Sequence, residues 1–153
     1  MMELKKMNLK DYEKYIVGTI KEYASEKVEA GTWPADEATK LAEEEYSRLL
    51  PDGLDTKENY FYTFNVEQNI IGYLWLAKNK VNPEDAFIYD FAVEPEFQNK
   101  GFGTQAMGEI FIAAKKLGFK KIGLHVFGKN ERAIHVYNKL GFIPTDITMS
   151  RDL

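Results

Sequence analysis

The residues with the clearest chemical potential form a short loop, Gln98 to Gly103, which follows an apolar run ending at Val93. Helical periodicity resumes directly after the loop. The first N–H groups of a helix have no acceptor within it, and the helix dipole adds partial positive charge there. Gly101 and Gly103 lack the Cβ atoms that would keep a phosphate away from the backbone. The loop therefore predicts a site for a phosphorylated ligand.

Two common nucleotide motifs fit this segment poorly. Gly101 to Ala106 matches the dinucleotide pattern G-x-G-x-x-A, but that motif turns at once from strand to helix and needs an acid about 20 residues later. Here the connection from Val93 to Gly101 is long, and residues 120–130 hold lysines but no acid. No Lys-Ser/Thr pair follows a glycine, which disfavours nucleotide hydrolysis. An NAD(P)-dependent oxidoreductase stays open as an alternative, and stabilisation of the folded protein by NAD(P) would test it.

Composition excludes several classes of protein. The 153 residues, 44% hydrophobic, suit one folded domain, and a net charge of −4 disfavours a nucleic-acid binder. The absence of cysteine excludes disulfides and a thiol nucleophile, and two histidines make a metal centre unexpected. No apolar run is long enough for a membrane span, and the N-terminus lacks a signal core, so we expect a cytoplasmic protein without membrane partners.

The charges are unevenly distributed along the chain. Residues 98–153 carry nine basic and four acidic side chains, whereas residues 8–59 carry seven basic and thirteen acidic ones. This polarity suits a polyanionic ligand on one side and a cationic substrate on the other. Solvated helix faces of mixed charge explain it equally well.

Periodicity and turn signals give the order of the elements that position the loop. The chain reads as a mixed α/β domain in which strands and helices both precede and follow the loop. The predicted strands are 3–7, 60–66, 70–77, 86–93, 121–127 and 145–149, with a turn at Gln68-Asn69 in the hairpin; the predicted helices are 8–30, 34–50, 104–117 and 130–140.

Two sequence blocks resemble those of the GNAT superfamily of acyl-CoA-dependent N-acetyltransferases. Residues 98–103 match the loop pattern Gln/Arg-x-x-Gly-x-Gly/Ala, and residues 130–137 match Asn-x-x-Ala-x-x-x-Tyr, followed by Gly141-Phe142. Together the blocks cover about residues 86–143. The surrounding sequence is similar to a little-characterised bacterial branch of that superfamily, so the resemblance does not identify the acceptor substrate.

The resemblance implies a fold and an activity. The fold is a mostly antiparallel central sheet flanked by helices and splayed between the two central strands, in one domain over residues 1–153 with acceptor-side helices at about 8–50. The activity is transfer of acetyl from acetyl-CoA, without a metal, to a primary amine of a small molecule or peptide by direct attack in a ternary complex. The alternative is a non-catalytic acyl-CoA-binding or sensing module. The protein is expected to be a monomer or a homodimer.

The resemblance also assigns roles to residues. Backbone N–H groups of the loop would hold the pyrophosphate, and the strand end at Val93 would pair with the pantetheine arm and stabilise the oxyanion. Asn130 would bind the arm, and Tyr137 would be the general acid. The predicted CoA-binding residues are Phe91, Ala92, Val93, Gln98, Asn99, Lys100, Gly101, Phe102, Gly103, Thr104, Asn130, Arg132, Ala133 and Tyr137, although Arg132 also fits a plain surface charge.

An attacking amine must be neutral, so a base or a water path is required. Asp90 is the best candidate because it is a lone carboxylate in an apolar strand, where burial would raise its pKa; Glu26 is the rival. Tyr23, Glu26, Trp33 and Asp90 are the predicted acceptor contacts, since aromatic rings and carboxylates suit an amine with an aliphatic body. Core packing explains Tyr23 equally well, and a solvated helix surface explains Glu26. His125 is expected to be structural.

Overall fold

The computed structural model describes residues 1–153 and contains a five-stranded sheet with helices on both faces. The strand order is β1-β2-β3-β4-β5, with antiparallel pairs except for the parallel β4–β5 pair. No helix combines the length and the apolar character needed to cross a membrane. The strands are β1 (Met2–Lys6), β2 (Asn59–Val66), β3 (Asn69–Lys78), β4 (Asp85–Val93) and β5 (Lys121–Leu124); the helices are α1 (Leu9–Glu29), α2 (Ala38–Leu49), α3 (Phe102–Lys116) and α4 (Glu131–Lys139); 3-10 turns span Gly53–Asp55 and Pro95–Phe97.

The mixed, mostly antiparallel fold class is confirmed, and local signals set most boundaries. Asn8 caps α1, because its side chain accepts a hydrogen bond from the Asp11 N–H at 2.8 Å. α2 begins at Ala38, four residues later than predicted from Pro34, since the N–H of Glu37 bonds to the Pro34 carbonyl in a preceding turn.

The β2–β3 hairpin turn lies one residue earlier than predicted. Val66 pairs with Asn69, so Glu67 and Gln68 form the two-residue turn. Their φ angles of 50° and 70° are both left-handed, as a type I′ turn requires. The predicted Gln68-Asn69 turn is therefore wrong by one position.

The two faces of the sheet bury different cores. The larger core lies between the sheet and α3 and includes Phe64, Leu74, Leu76, Met107 and Ile110. The opposite face packs beneath α1 and is largely aromatic; its buried members are Met7, Tyr12, Tyr15, Leu50, Phe61 and Trp75. The sheet therefore separates a mixed aliphatic and aromatic core from a smaller, largely aromatic one.

A β-bulge in β4 changes which face its residues point to. Trp75 pairs with Asp90 and the next residue, Leu76, pairs with Ile88, so Tyr89 is an extra residue in β4. Ile88 packs in the larger core. Without the extra residue Asp90 would share that face, because side chains alternate along a strand. The bulge instead turns Asp90 to the aromatic side, beneath α1.

β4 and β5 separate halfway along β4. Their pairing runs from Asp85 to Ile88 only, and β5 ends at Leu124 rather than at the predicted residue 127. The predicted strand 145–149 is also absent: those residues form no regular element, and Met149 is 85% exposed. Alternating apolar residues favour a strand, but they form one only with a neighbouring strand to pair with. β5 is consequently the edge of the sheet.

Candidate active site

The second half of β4 presents free backbone groups where β5 has ended. The N–H of Glu94 bonds to the Ile71 carbonyl of β3 at 2.7 Å. Residues of an antiparallel strand direct their N–H and C=O alternately to either side. Asp90 and Ala92 therefore face β3, whereas Phe91 and Val93 face the side that β5 leaves open. On that side the Val93 carbonyl already accepts from the Gln98 side chain, so the Val93 N–H is the group left for a ligand at this position. This opening can accept an extended ligand as an additional strand.

The loop after β4 offers a row of backbone donors. The six successive N–H groups of residues 99–104 have no acceptor within the protein. The N–H of Gln98, which was predicted to belong to this row, is occupied by the Pro95 carbonyl at 3.2 Å. Asn99 and Gly101 adopt left-handed φ angles of 61° and 82°. Backbone of this kind, followed directly by a helix start, forms a concave site for an anion.

The two glycines of the loop are not explained by internal packing. A Cβ at either Gly101 or Gly103 would meet no protein atom within 4 Å. Gly101 is accounted for by its left-handed φ, which disfavours a side chain. Gly103 has no such strain, and it lies within the row of free N–H groups, where the missing side chain leaves the backbone open to a ligand.

Side chains fix this loop on both sides. Gln98 donates from Nε2 to the Val93 carbonyl at 2.8 Å and so joins the loop to the end of β4. Arg132, at the start of α4, donates to the side chain of Asn99. Asn130 caps α4 by accepting from the Ala133 N–H at 3.2 Å. The two sequence blocks therefore meet, and Arg132 helps to shape the loop.

Tyr137 lies half-buried on α4 beside the larger core. Its ring packs edge-on against Phe142 at 5.6 Å between centroids. Burial raises the pKa of Tyr137 above its usual value. The phenol therefore holds its proton at neutral pH and can act as a donor.

Asp90 is held by a residue that the sequence did not reveal. The hydroxyl of Tyr15, on α1, donates to Asp90 Oδ2 at 2.6 Å. Burial is the largest influence on this carboxyl and raises the pKa of Asp90, and the nearby Glu22 raises it further. The hydrogen bond from Tyr15 opposes both effects. A partly buried carboxylate with a raised pKa is a better proton acceptor than an exposed one.

Further carboxylates lie near Asp90 on α1. The pKa of Glu26 is raised by partial burial first, and then by Glu22, Asp90 and Glu29. None of these four acids is in a salt bridge; the ion pairs of the structure join Lys5 to Glu3, Lys78 to Glu58 and Lys120 to Glu84. The face of α1 near Asp90 therefore carries negative charge without a paired cation.

The other predicted acceptor contacts lie between α1 and α2. Tyr23 packs edge-on against Trp33 at 5.7 Å and donates to Glu45 at 3.0 Å. The ammonium of Lys27 lies 5.4 Å from the Tyr23 ring and 5.5 Å from the Trp33 ring. These aromatic faces thus already contact a cation of the chain. His125 lies beyond the end of β5, exposed and edge-on to Phe127 at 5.0 Å.

Comparison with known proteins gives consistent matches. The profile of the Acetyltransferase (GNAT) family matches residues 22–142. The chain is 37% identical over 149 residues to YycN of Bacillus subtilis, described as an uncharacterized N-acetyltransferase, with 96% of each chain covered. It is 32% identical over 152 residues to YdgE of the same organism, covering 98% of this chain and 97% of YdgE.

Solved structures show the same likeness. The YycN crystal structure aligns with a TM-score of 0.89 at 36% identity, covering 100% of this chain and 99% of YycN. The PaiA N-acetyltransferase of Thermoplasma acidophilum, solved in complex with coenzyme A, aligns with a TM-score of 0.68 over 97% of this chain and 93% of PaiA. At 22% identity, the PaiA match shows the shared fold alone.

Proposed function

Because this chain belongs to the GNAT acetyltransferase family, we propose that it transfers the acetyl group of acetyl-CoA to a primary amine of a small molecule or peptide. The amine attacks directly within a ternary complex. The chain has no cysteine to carry the acyl group as a thioester. Acetyl-CoA supplies an acyl group already activated as a thioester, so the protein's contribution is to align the reactants and to move protons.

One observation carries this proposal: the open edge of β4 leads directly into the row of free loop amides. Phe91 and Val93 direct backbone groups to the side without a paired strand, and residues 99–104 follow with six unpaired N–H groups. A linear arm ending in a pyrophosphate matches this sequence of donors. The extended part would pair with β4, with Ala92 between the two pairing residues, and the pyrophosphate would bind the loop.

The side chains at the site can account for the protons. Asp90 accepts one proton from the acceptor ammonium, and the resulting neutral amine forms the new C–N bond as the C–S bond breaks. Tyr137 gives its proton to the departing thiolate. The nitrogen loses two protons in all. The first passes from Asp90 to water, and the second, lost as the C–N bond forms, returns through water to the Tyr137 oxygen and replaces the proton given to the thiolate. The Val93 N–H would donate to the acyl oxygen as negative charge develops there.

The unpaired carboxylates beside Asp90 support a cationic acceptor. Glu22 and Glu26 lie on α1 near Asp90, and no lysine or arginine is in a salt bridge with them. Two relatives carry acceptor names: a spermidine N(1)-acetyltransferase of Vibrio cholerae, 30% identical over 91 residues, and a ribosomal-protein bS18 alanine N-acetyltransferase of Haemophilus influenzae, 29% identical over 110. Both acceptors are amines, but they differ in size, so the panel of amines should span both kinds.

The test is thiol release from acetyl-CoA with a panel of polyamines, amino sugars, amino acids and peptides. We expect release that requires an amine and yields one acetylated product per thiol. A non-catalytic acyl-CoA-binding module would be stabilised by CoA on heating yet release no thiol with any amine. Stabilisation by NAD(P) instead of CoA would support the oxidoreductase interpretation and contradict the proposal.

A further inference from the structure

The hydroxyl of Tyr15 provides the one side-chain hydrogen bond that Asp90 accepts, and it joins residues 75 positions apart in the chain. We propose that Tyr15 is a positioning residue for the transfer reaction, holding Oδ2 of Asp90 so that Oδ1 is the oxygen that receives the proton of the amine. The inference rests on the proposed function, and specifically on Asp90 as the base. No catalytic contact of Tyr15 with either substrate is implied.

The position of the Tyr15 hydroxyl is fixed by packing. The side chain is 6% exposed. Its ring lies against Phe61 at 6.2 Å and Tyr73 at 5.4 Å between centroids. A buried ring packed against two aromatic neighbours has little rotational freedom, so its hydroxyl is a rigid donor. Asp90 reaches this donor only because the bulge at Tyr89 turns it to the aromatic side of the sheet.

The proton in this hydrogen bond belongs to Tyr15. Burial, and then the charge of Asp90, raise the pKa of Tyr15 far above neutral, so Tyr15 remains the donor and Asp90 the acceptor. Donation to a carboxylate favours its charged form. This effect opposes burial, which raises the pKa of Asp90, and so keeps the carboxylate ionised to a lower pH than burial alone would allow.

Other groups around Asp90 act in the opposite direction. From α1, Glu22 and Glu26 face it with like charge. From α2, the hydroxyl of Tyr46 interacts with it, and across the sheet its partner is Trp75, which does not titrate. The Phe91 N–H is the one other group that favours the charged form. Removal of the Tyr15 hydroxyl therefore leaves the carboxylate less stabilised and free to rotate.

The test compares Tyr15→Phe with Tyr12→Phe. Both remove one hydroxyl from α1 and from the same aromatic core, and Tyr12 also packs on Phe61, at 4.9 Å, but Tyr12 does not bond to Asp90. For one fixed amine, we expect Tyr15→Phe to shift the acid limb of the pH profile of kcat/KM upward by about one pH unit. Tyr12→Phe should leave the profile in place. Circular dichroism and thermal denaturation check that each variant folds.

A double-mutant cycle with Asp90→Asn separates positioning from packing. If Tyr15 acts through Asp90, Tyr15→Phe should cause little further loss of rate in the Asp90→Asn background. An equal loss in both backgrounds, or an unshifted acid limb in the single variant, would overturn the inference. Full activity of Asp90→Asn would overturn it as well, by removing Asp90 as the base.

A direct titration keeps the inference testable even without turnover. The carbon-13 carboxyl signal of Asp90, assigned by its loss in Asp90→Asn, reports the pKa of Asp90 itself. We expect this pKa to be higher in Tyr15→Phe than in wild type, and unchanged in Tyr12→Phe. A wild-type protein that releases no thiol with any amine contradicts the proposed function, whereas an unchanged pKa in Tyr15→Phe contradicts only the role of Tyr15.

Discussion

The two halves of β4 are built from similar residues but have different roles in the fold. The first half, Asp85–Ile88, is paired on both edges, with β3 and with β5. The second half, Tyr89–Val93, keeps β3 but has lost β5, and it begins with the bulge. The first half is a structural strand, whereas the second combines an open edge with a carboxylate turned to the other face. The difference shows that a site can arise within one strand when one partner is withdrawn and one residue is added.

The largest effect, on CoA affinity, should come from a substitution in the loop that follows the second half of β4. Gly103→Glu places a carboxylate among the free amides. We expect CoA affinity to fall by about 100-fold or more, because the new side chain blocks the approach of the pyrophosphate to the backbone and its negative charge repels the phosphates. Isothermal titration with CoA measures it. Gly108→Glu is the matched control, since it adds the same charge to α3 at a position equally free of neighbours. Unaltered affinity in Gly103→Glu would show that the anion binds elsewhere.

Asp90→Asn tests the residue that the bulge turns. We expect turnover at neutral pH to fall by roughly 100-fold, within the usual range for loss of a general base. Because the pKa of Asp90 is raised, wild-type turnover should fall as pH drops through that pKa, whereas the variant should recover at high pH as the amine loses its own proton. Steady-state kinetics over a pH series measures both.

Glu26→Gln distinguishes the rival base in the same assay. Glu26 is exposed, and Asp90 is not, so the Glu26 variant should mainly raise KM for the amine. If Glu26→Gln loses turnover and Asp90→Asn keeps it, the two carboxylates exchange roles and the second half of β4 is no longer the source of the base.

Tyr137→Phe tests the proposed general acid, which lies on α4, the helix after β5. We expect turnover to fall at least ~10-fold with little change in CoA affinity, since only the proton donor is removed. The raised pKa of Tyr137 keeps the wild-type donor protonated across the neutral range. Product formation and CoA titration are measured separately. Equal rates in the variant and wild type would assign the acid to another group or to water.

The smallest effect should be on the free energy of unfolding. It compares two glycines, one paired with each half of β4. Gly72 pairs with Val93, and a Cβ there would collide with the Ala92 carbonyl. Gly72→Ala should therefore destabilise the fold by about 1–3 kcal/mol, as overpacking does, and should disturb activity as well. Gly123→Ala, opposite Phe87 with an ordinary 3.8 Å contact, should change neither appreciably. Denaturant unfolding and turnover together decide whether the halves differ in this way.

The sequence predicted the elements because their signals are local. The Asn8 cap and the residue periodicities lie within single elements, and the loop of residues 98–103 with its helix formed one continuous pattern. The strand expected at 145–149 did not form, because alternation alone cannot supply a pairing partner. The shortening of β5 has a related cause: it depends on where β4 and β5 diverge, which no residue of β5 specifies.

The least predictable features of the site depend on distance along the chain. Tyr15 carries no local signal that separates it from the other tyrosines of α1, and its contact with Asp90 spans 75 residues. The bulge at Tyr89 carried no glycine or proline to mark it. A lone Asp in an apolar strand was visible, but the face to which it pointed was not. The carboxylate of Asp90 could therefore be recognised from its residue type, whereas its partner Tyr15 could be recognised only from the fold.

The bulge at Tyr89 makes the chemistry of this strand depend on its length. A deletion of that single residue would restore simple alternation and exchange the facing of all positions beyond it, so that Asp90 would enter the larger core and Phe91 the smaller, aromatic one. Substitutions alter such a strand one side chain at a time, whereas loss of one residue would invert its whole terminal half. Aligning related chains by residue type alone, without allowing a gap at this point, would pair residues that lie on opposite surfaces.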